Sequence, residues 1–186
     1  MMIRADASQK AQAIAVAAID AIHERGLDRF KLTDVARKAG VTTGAVTYYF
    51  EDKDALLLAA FDEIWQQMFN EIEDYEGDWE LERFEHSLPV SAERRRGWSV
   101  WLAFCGRAQT SESINRHYRK AFAELEDRLA RSTDMTSNEQ QRRDIRVVIA
   151  AMDGIGLSAT LHPDLWPPER QREALTTMVG HLFKTQ

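Results

Sequence analysis

Apolar residues recur along this chain at helical spacing and almost nowhere alternate as they do in a strand. Ile14, Ala18, Ala21 and Ile22 share one helical face, with Ser8 placed to cap it and Gly26 to stop it. Leu32–Ala39 and Thr42–Tyr49 follow as two short helices around Gly40, the outline of a helix-turn-helix. A longer helix is expected from Asp52, its stripe running Leu57, Phe61, Ile64, Met68, Ile72 and fading near Gly77. A short helix over Asp78–Ser87 would be ended by Pro89. From Ser91 or Ala92 the next carries Trp98, Trp101, Leu102 and Cys105 on one face. Thr110–Ser113 reads as a break, and Tyr118, Phe122, Leu125 and Leu129 form the stripe after it. Ser132–Asn138 is polar and reads as a loop, whereas Ile145–Leu161 is apolar almost all round. The Pro-rich turn His162–Pro168 leads to a last helix with Leu175, Met178, Val179, Leu182 and Phe183.

The pattern predicts an all-α chain of about nine helices: a three-helix module over residues 1–52, then a helical bundle over 53–186. The long helix beginning near Asp52 belongs to both, so movement in one part can reach the other. With 44% hydrophobic residues the 186-residue chain can bury a core without staples. The single cysteine, Cys105, forms no disulfide within the chain, which suits a reducing cytoplasm. The most apolar run, Gly97–Gly106, is too short to span a bilayer. The expectation is a cytoplasmic protein without a membrane partner.

Net charge is −6 and unevenly spread: residues 1–53 carry eight Lys/Arg against seven Asp/Glu, and the rest sixteen against twenty-three. The N-terminal module is thus the part suited to a polyanion. Its apolar members Leu32, Val35, Ala36, Ala39, Val41, Val46 and Phe50 can close a core with the first helix. Gly40 suits a left-handed turn residue and Thr42 an N-cap. Thr42, Thr43, Gly44, Thr47, Tyr48, Tyr49 and Lys53 are left over. Hydroxyls and a lysine around a helix start can bind phosphates and base edges, and Gly44 lets a backbone come close. A capped surface helix with incidental threonines fits the same residues.

The run Ala36-x-x-Ala39-Gly40-Val41-Thr42-Thr43-Gly44-x-x-x-Tyr48-Tyr49-Phe50-x-x-Lys53-x-x-Leu56 resembles the DNA-binding signature of tetracycline-repressor (TetR) regulators. The resemblance covers about residues 8–65. It implies that Thr43, Gly44 and Thr47 face the major groove of double-stranded DNA and that Thr42, Tyr48, Tyr49 and Lys53 hold phosphates. One departure stands out: Lys31 occupies the place of a capping Ser or Thr, so Thr33, or a phosphate contact from Lys31, would have to compensate.

Trp101-Leu102-Ala103-Phe104 and Asp153-Gly154-Ile155-Gly156-Leu157 are similar to segments of the choline-responsive betaine regulators, which implies a dimer and an effector pocket in the bundle. Candidate pocket residues are Trp65, Phe69, Trp98, Trp101, Phe104 and Cys105. Aromatic faces attract organic cations by roughly 0.5–2 kcal/mol each. Rings that only fill a core, an inert buried thiol and a structural Asp153 are the plain alternatives.

Ile145–Leu161 needs cover on two faces. Ala151, Gly154, Ile155 and Ser158, with Leu175, Met178, Val179 and Leu182 of the last helix, are expected to pair with a second copy. Two heads about 34–36 Å apart would then meet successive major grooves of a palindromic operator. The five histidines form no metal-binding pattern, and there is no phosphate loop or nucleophile elbow. No metal, cofactor or enzyme activity is therefore expected. The sum is a ligand-responsive transcription regulator, a repressor by resemblance. A helical adaptor that oligomerises without DNA would leave the exposed threonines and tyrosines unused.

Overall fold

A computed structural model describes residues 2–73, 84–132 and 139–183. Among these, eight helices carry the chain: α1 (Met2–Arg29), α2 (Leu32–Ala39), α3 (Thr43–Tyr49), α4 (Lys53–Glu73), α5 (Ala92–Ala108), α6 (Glu112–Ser132), α7 (Glu139–Leu161) and α8 (Pro168–Phe183). The expected helix over Asp78–Ser87 falls largely outside the described residues; only a helical turn at 84–85 is seen.

Local signals set the boundaries of the first three helices. Gly26, at φ 74°, breaks the helical path of α1 where a stop was expected. Gly40 closes α2 at φ 66°, and the N–H of Val41 donates to the Ala36 carbonyl at 2.9 Å. Thr42 caps α3, its Oγ1 accepting from the Ala45 N–H at 3.1 Å. Asp52 does the same for α4, accepting from the Ala55 N–H at 2.7 Å.

The start of α2 differs from expectation. Neither Thr33 nor a phosphate is needed to secure it. Asp34, three residues into the helix, reaches back and accepts from the Lys31 N–H at 3.0 Å. Arg25 and Arg37 each lie 3.5 Å from the same carboxylate. That backbone N–H, ahead of the two guanidiniums, holds the Asp34 carboxyl below its ordinary value. The cap therefore weakens only as pH falls through that lowered value.

Two buried clusters divide the molecule. One joins α1, α2 and α3 to α4, α5 and α6 through Ile14, Val35, Val46, Leu56, Phe61, Val100, Phe104 and Ile114. The other closes the far end through Phe69, Phe84, Leu129, Ile145, Ile149, Met152, Leu175 and Val179. Trp65 packs against both. Helix α7 starts earlier than its apolar stripe. Its first turns are polar and held to α6 by Arg142 on Asp127 at 3.1 Å and Arg146 on Glu126 at 3.0 Å.

Three residues expected at a dimer face lie inside the chain's own core: Ile155 (8% exposed), Leu175 (0%) and Val179 (6%). They face the second cluster because α8 packs on α7 of the same chain. Ala151 and Ser158 are half-buried, Gly154 is exposed and Met178 is half-buried; the Leu182 side chain lies outside the described residues.

Candidate DNA interface and effector cavity

The head presents its polar residues outward from a buried anchor. Val46 is fully buried, which turns Thr43, Gly44, Thr47 and Tyr48 of α3 to solvent, with Thr42 exposed just before them. Lys31 and Thr33 are exposed at the start of α2. Tyr48 is 82% exposed, its ring edge-on to Tyr49 at 5.1 Å, while Tyr49 packs partly against the head core. Apart from that edge contact the Tyr48 ring lies open to solvent, and a large exposed aromatic is the informative kind of surface residue.

Hydrogen bonds restrict what these hydroxyls offer. Thr42 Oγ1 is engaged as the cap. Thr47 Oγ1 donates to the carbonyls of Gly44 (3.1 Å) and Thr43 (3.3 Å), so its lone pairs and methyl group are what it turns outward. Lys53 is less free than expected. Its Nζ donates to the carbonyls of Leu27 (3.3 Å) and Asp28 (3.2 Å) and lies 4.6 Å from the centre of the Phe30 ring. In this state it ties α4 to the end of α1.

Gly44 is different in kind. A Cβ built there meets only Thr42 Oγ1 at 3.8 Å, an ordinary contact, and its φ is not in the left-handed region. Among the described residues nothing requires a glycine at this exposed position.

The body holds a cavity of about 500 Å³ between α1, α4, α5, α6 and α7. Trp65, Trp98, Trp101 and Asp153 line it; Phe69, Phe104 and Cys105 do not. Phe104 is fully buried and stacks on Phe61 at 4.0 Å, filling the core beside the head. Phe69 is buried at the far end with the Arg128 guanidinium 4.0 Å above its ring. Burial, then the nearby Asp153 carboxylate, pushes the Cys105 thiol up to about 12, so it stays protonated at neutral pH.

Trp65 and Trp101 stack at 5.9 Å, and Trp101 stacks on Tyr118 at 5.7 Å. The Trp65 Nε1–H is buried and has no hydrogen-bond partner among the described residues. Trp98 Nε1 donates to the Ser87 carbonyl at 2.8 Å. Desolvation raises the Asp153 carboxyl to about 6, although the Trp101 indole N–H bonded to it pulls the other way. An ionised carboxylate beside stacked indoles is an environment that a cation improves.

Sequence reasoning missed the part of the wall supplied by α1, namely Gln12, Val16, Ile19 and Asp20. It also missed a polar cluster at Arg94, which donates to Glu71 at 3.1 Å and to His86 Nδ1 at 2.7 Å. These residues are far apart in the chain, and no local pattern announces them. In all, five carboxylates and two guanidiniums line the cavity.

Two family models match the chain. Residues 14–60 match the bacterial regulatory proteins of the tetR family, and residues 82–184 match the C-terminal part of BetI-type transcriptional repressors. The chain belongs to the TetR family. Its helix-turn-helix is thus a DNA-binding element, and the protein is a transcription regulator, not an enzyme. The HTH-type transcriptional regulator BetI of Escherichia coli O127:H6 is 29% identical to this TetR-family chain over 163 residues, covering 78% of it and 79% of the relative. A transcriptional regulator from Rhodococcus sp. Rha1 superposes with a TM-score of 0.84 at 26% identity, over 94% of this chain and 96% of that one. A regulator from Saccharomonospora viridis, solved in complex with choline, superposes at 0.75 with 21% identity over 94% and 97%. Among the described residues, no helix is long and apolar enough to cross a membrane.

Proposed function

We propose that this regulator is a homodimeric repressor released from a palindromic operator by a small organic cation. The observation that carries this reading is the cavity: stacked indoles around a carboxylate that desolvation has raised to about 6. A monovalent cation bound there would restore to Asp153 the charge compensation that burial removes. The choline complex of the Saccharomonospora viridis neighbour supports the same class of ligand.

Residues 1–52 act as the DNA-reading unit and 53–186 as the effector and dimerisation unit. Thr43, Gly44 and Thr47 read the major groove; Lys31, Thr33, Thr42, Tyr48 and Tyr49 position the backbone. Lys53 reaches a phosphate only by exchanging its carbonyl partners.

Dimerisation uses the open face of α7. Of the six large apolar residues exposed among those described, Val147, Leu157, Leu161 and Leu165 lie on α7 or just after it. With Ala151, Gly154 and Ser158 they continue one strip along the helix; Met178 of α8 is half-buried and packs on the second cluster. Such a strip is a common mark of a protein–protein contact.

The switch needs an effector that binds the DNA-incompetent state more tightly. Helix α1 belongs to the head, α4 packs into the head's core, and both line the cavity, so a ligand there bears on the reading unit directly. Calorimetric titration with choline and with tetramethylammonium tests the ligand class. Binding that disappears in Asp153→Asn is expected; equal binding by variant and wild type would refute the role of the carboxylate.

A further inference from the structure

We infer that Gly156 sets the size of the effector cavity by seating the Trp98 indole. This rests on the reading of the cavity as the effector site. Gly156 lies on α7 but does not line the cavity; Trp98, from α5, does. A Cβ built on Gly156 would come within 2.0 Å of Trp98 Cζ2, 2.1 Å of Cη2 and 2.5 Å of Cε2. The six-membered ring of the indole therefore occupies the space that any other residue at 156 would need. Gly154, two residues earlier on the same helix, has nothing within 4 Å of such a Cβ. The close approach is particular to one residue and one ring.

The indole has little freedom to yield elsewhere. Its Nε1 is held by the Ser87 carbonyl at 2.8 Å, and the next residue, Leu88, is fully buried. Helix α7 is held by Ile149, Met152, Ile155 and Ala159, all buried. With the nitrogen pinned on one side and α7 fixed on the other, an added methyl group pushes the indole away from α7, and the empty volume that Trp98 lines is the cavity. Moving it from 2.0 Å to the 3.4 Å where ordinary contact begins narrows the chamber beside Trp65 and Trp101. Gly156 is thus a positioning residue for ligand size. A protein with alanine there admits smaller cations than this one.

The test compares wild type, Gly156→Ala, Trp98→Phe and the double variant Gly156→Ala/Trp98→Phe. Tetramethylammonium and benzyltrimethylammonium are the probes, read by calorimetry, with a crystal structure of Gly156→Ala beside them. In Gly156→Ala the larger cation should lose at least about tenfold in affinity while the smaller one changes by less than about threefold. Phe at 98, which lacks the colliding ring, should return the larger cation toward the affinity of Trp98→Phe alone. Equal loss of both cations, or no loss of either, overturns the inference. If wild type binds neither probe, the cationic reading of the cavity fails. The crystal structure then still decides: an indole shifted into the cavity supports the role of Gly156, and one left in place overturns it. If Gly156→Ala does not fold, recovery of folding in the double variant supports the contact and its absence refutes it.

Discussion

Helices α3 and α7 each hold a glycine in ordinary helical conformation, and the surroundings of the two are opposite. At Gly44 a side chain would meet almost nothing of the protein; at Gly156 it would strike Trp98. On the proposed reading the first glycine serves DNA, outside the chain; the second serves the chain's own packing. Openness alone does not assign a role, since Gly106 is equally free of neighbours. Gly44 differs because it stands between Thr43 and Thr47 on the exposed face of a DNA-binding helix.

The same contrast runs through the polar groups of the head and the body. In the head they are satisfied before DNA arrives: Thr42 caps α3, Thr47 bonds its own helix and Asp34 closes the start of α2. Among the described residues that line the cavity two are left in deficit, the Trp65 N–H without a partner and the Asp153 carboxyl raised to about 6. A surface that reads DNA has water as its alternative partner and can stay satisfied. A pocket that is empty part of the time, as proposed for the effector cavity, carries its cost until the ligand comes.

The largest expected effect breaks the contrast at the dimer. Ala151→Arg on the open strip of α7 should give monomers by sedimentation and abolish operator binding, with the head still folded. A variant that stays dimeric would move the interface elsewhere. Next is Gly44→Ala, which should melt like wild type yet lose about 10–100-fold in operator affinity, or about 1–3 kcal/mol. Unchanged affinity would remove Gly44 from the groove.

Asp153→Asn sharpens the body's side. Because burial raises this carboxyl from 3.8 to about 6, the free protein loses stability as pH rises through that window and bears the full cost above it. The amide should therefore stabilise the free protein at pH 7 by at most about 3 kcal/mol, with the gain vanishing near pH 4. A destabilised variant at pH 7 would show that the carboxylate is a structural asset. The smallest effect is at Lys53. Lys53→Ala should lower the head's stability by about 1 kcal/mol through its lost carbonyl bonds, and weaken matched and mismatched DNA alike. A change in base preference would contradict that placement.

Which parts of this were legible in the sequence follows from how local each signal is. The ends of α2 and α3 were readable because Gly40 and Thr42 act on their own neighbours. Asp34 was readable in principle, as an acid three residues after a non-capping Lys31; it caps with a carboxylate from inside the helix, not with a hydroxyl from the cap position. The start of α7 was not readable from apolar spacing, because its first turns are held by ion pairs to α6. Trp98, Trp101, Phe104 and Cys105 look alike as neighbours on one helix; only the placement of α4 and α7 decides which of them meet a void. Leu175 and Val179 failed as interface residues for a related reason. Apolar spacing says that a face is covered, never whether by its own chain or by another.

Both halves of the account meet in one titration. Labelled DNA from upstream of the protein's own gene is bound by wild type and by Asp153→Asn, and choline is added while fluorescence anisotropy is followed. The account predicts that wild type is released as choline rises and that the variant stays bound. Release of both at the same concentration, or of neither, would contradict a cation-operated switch at Asp153.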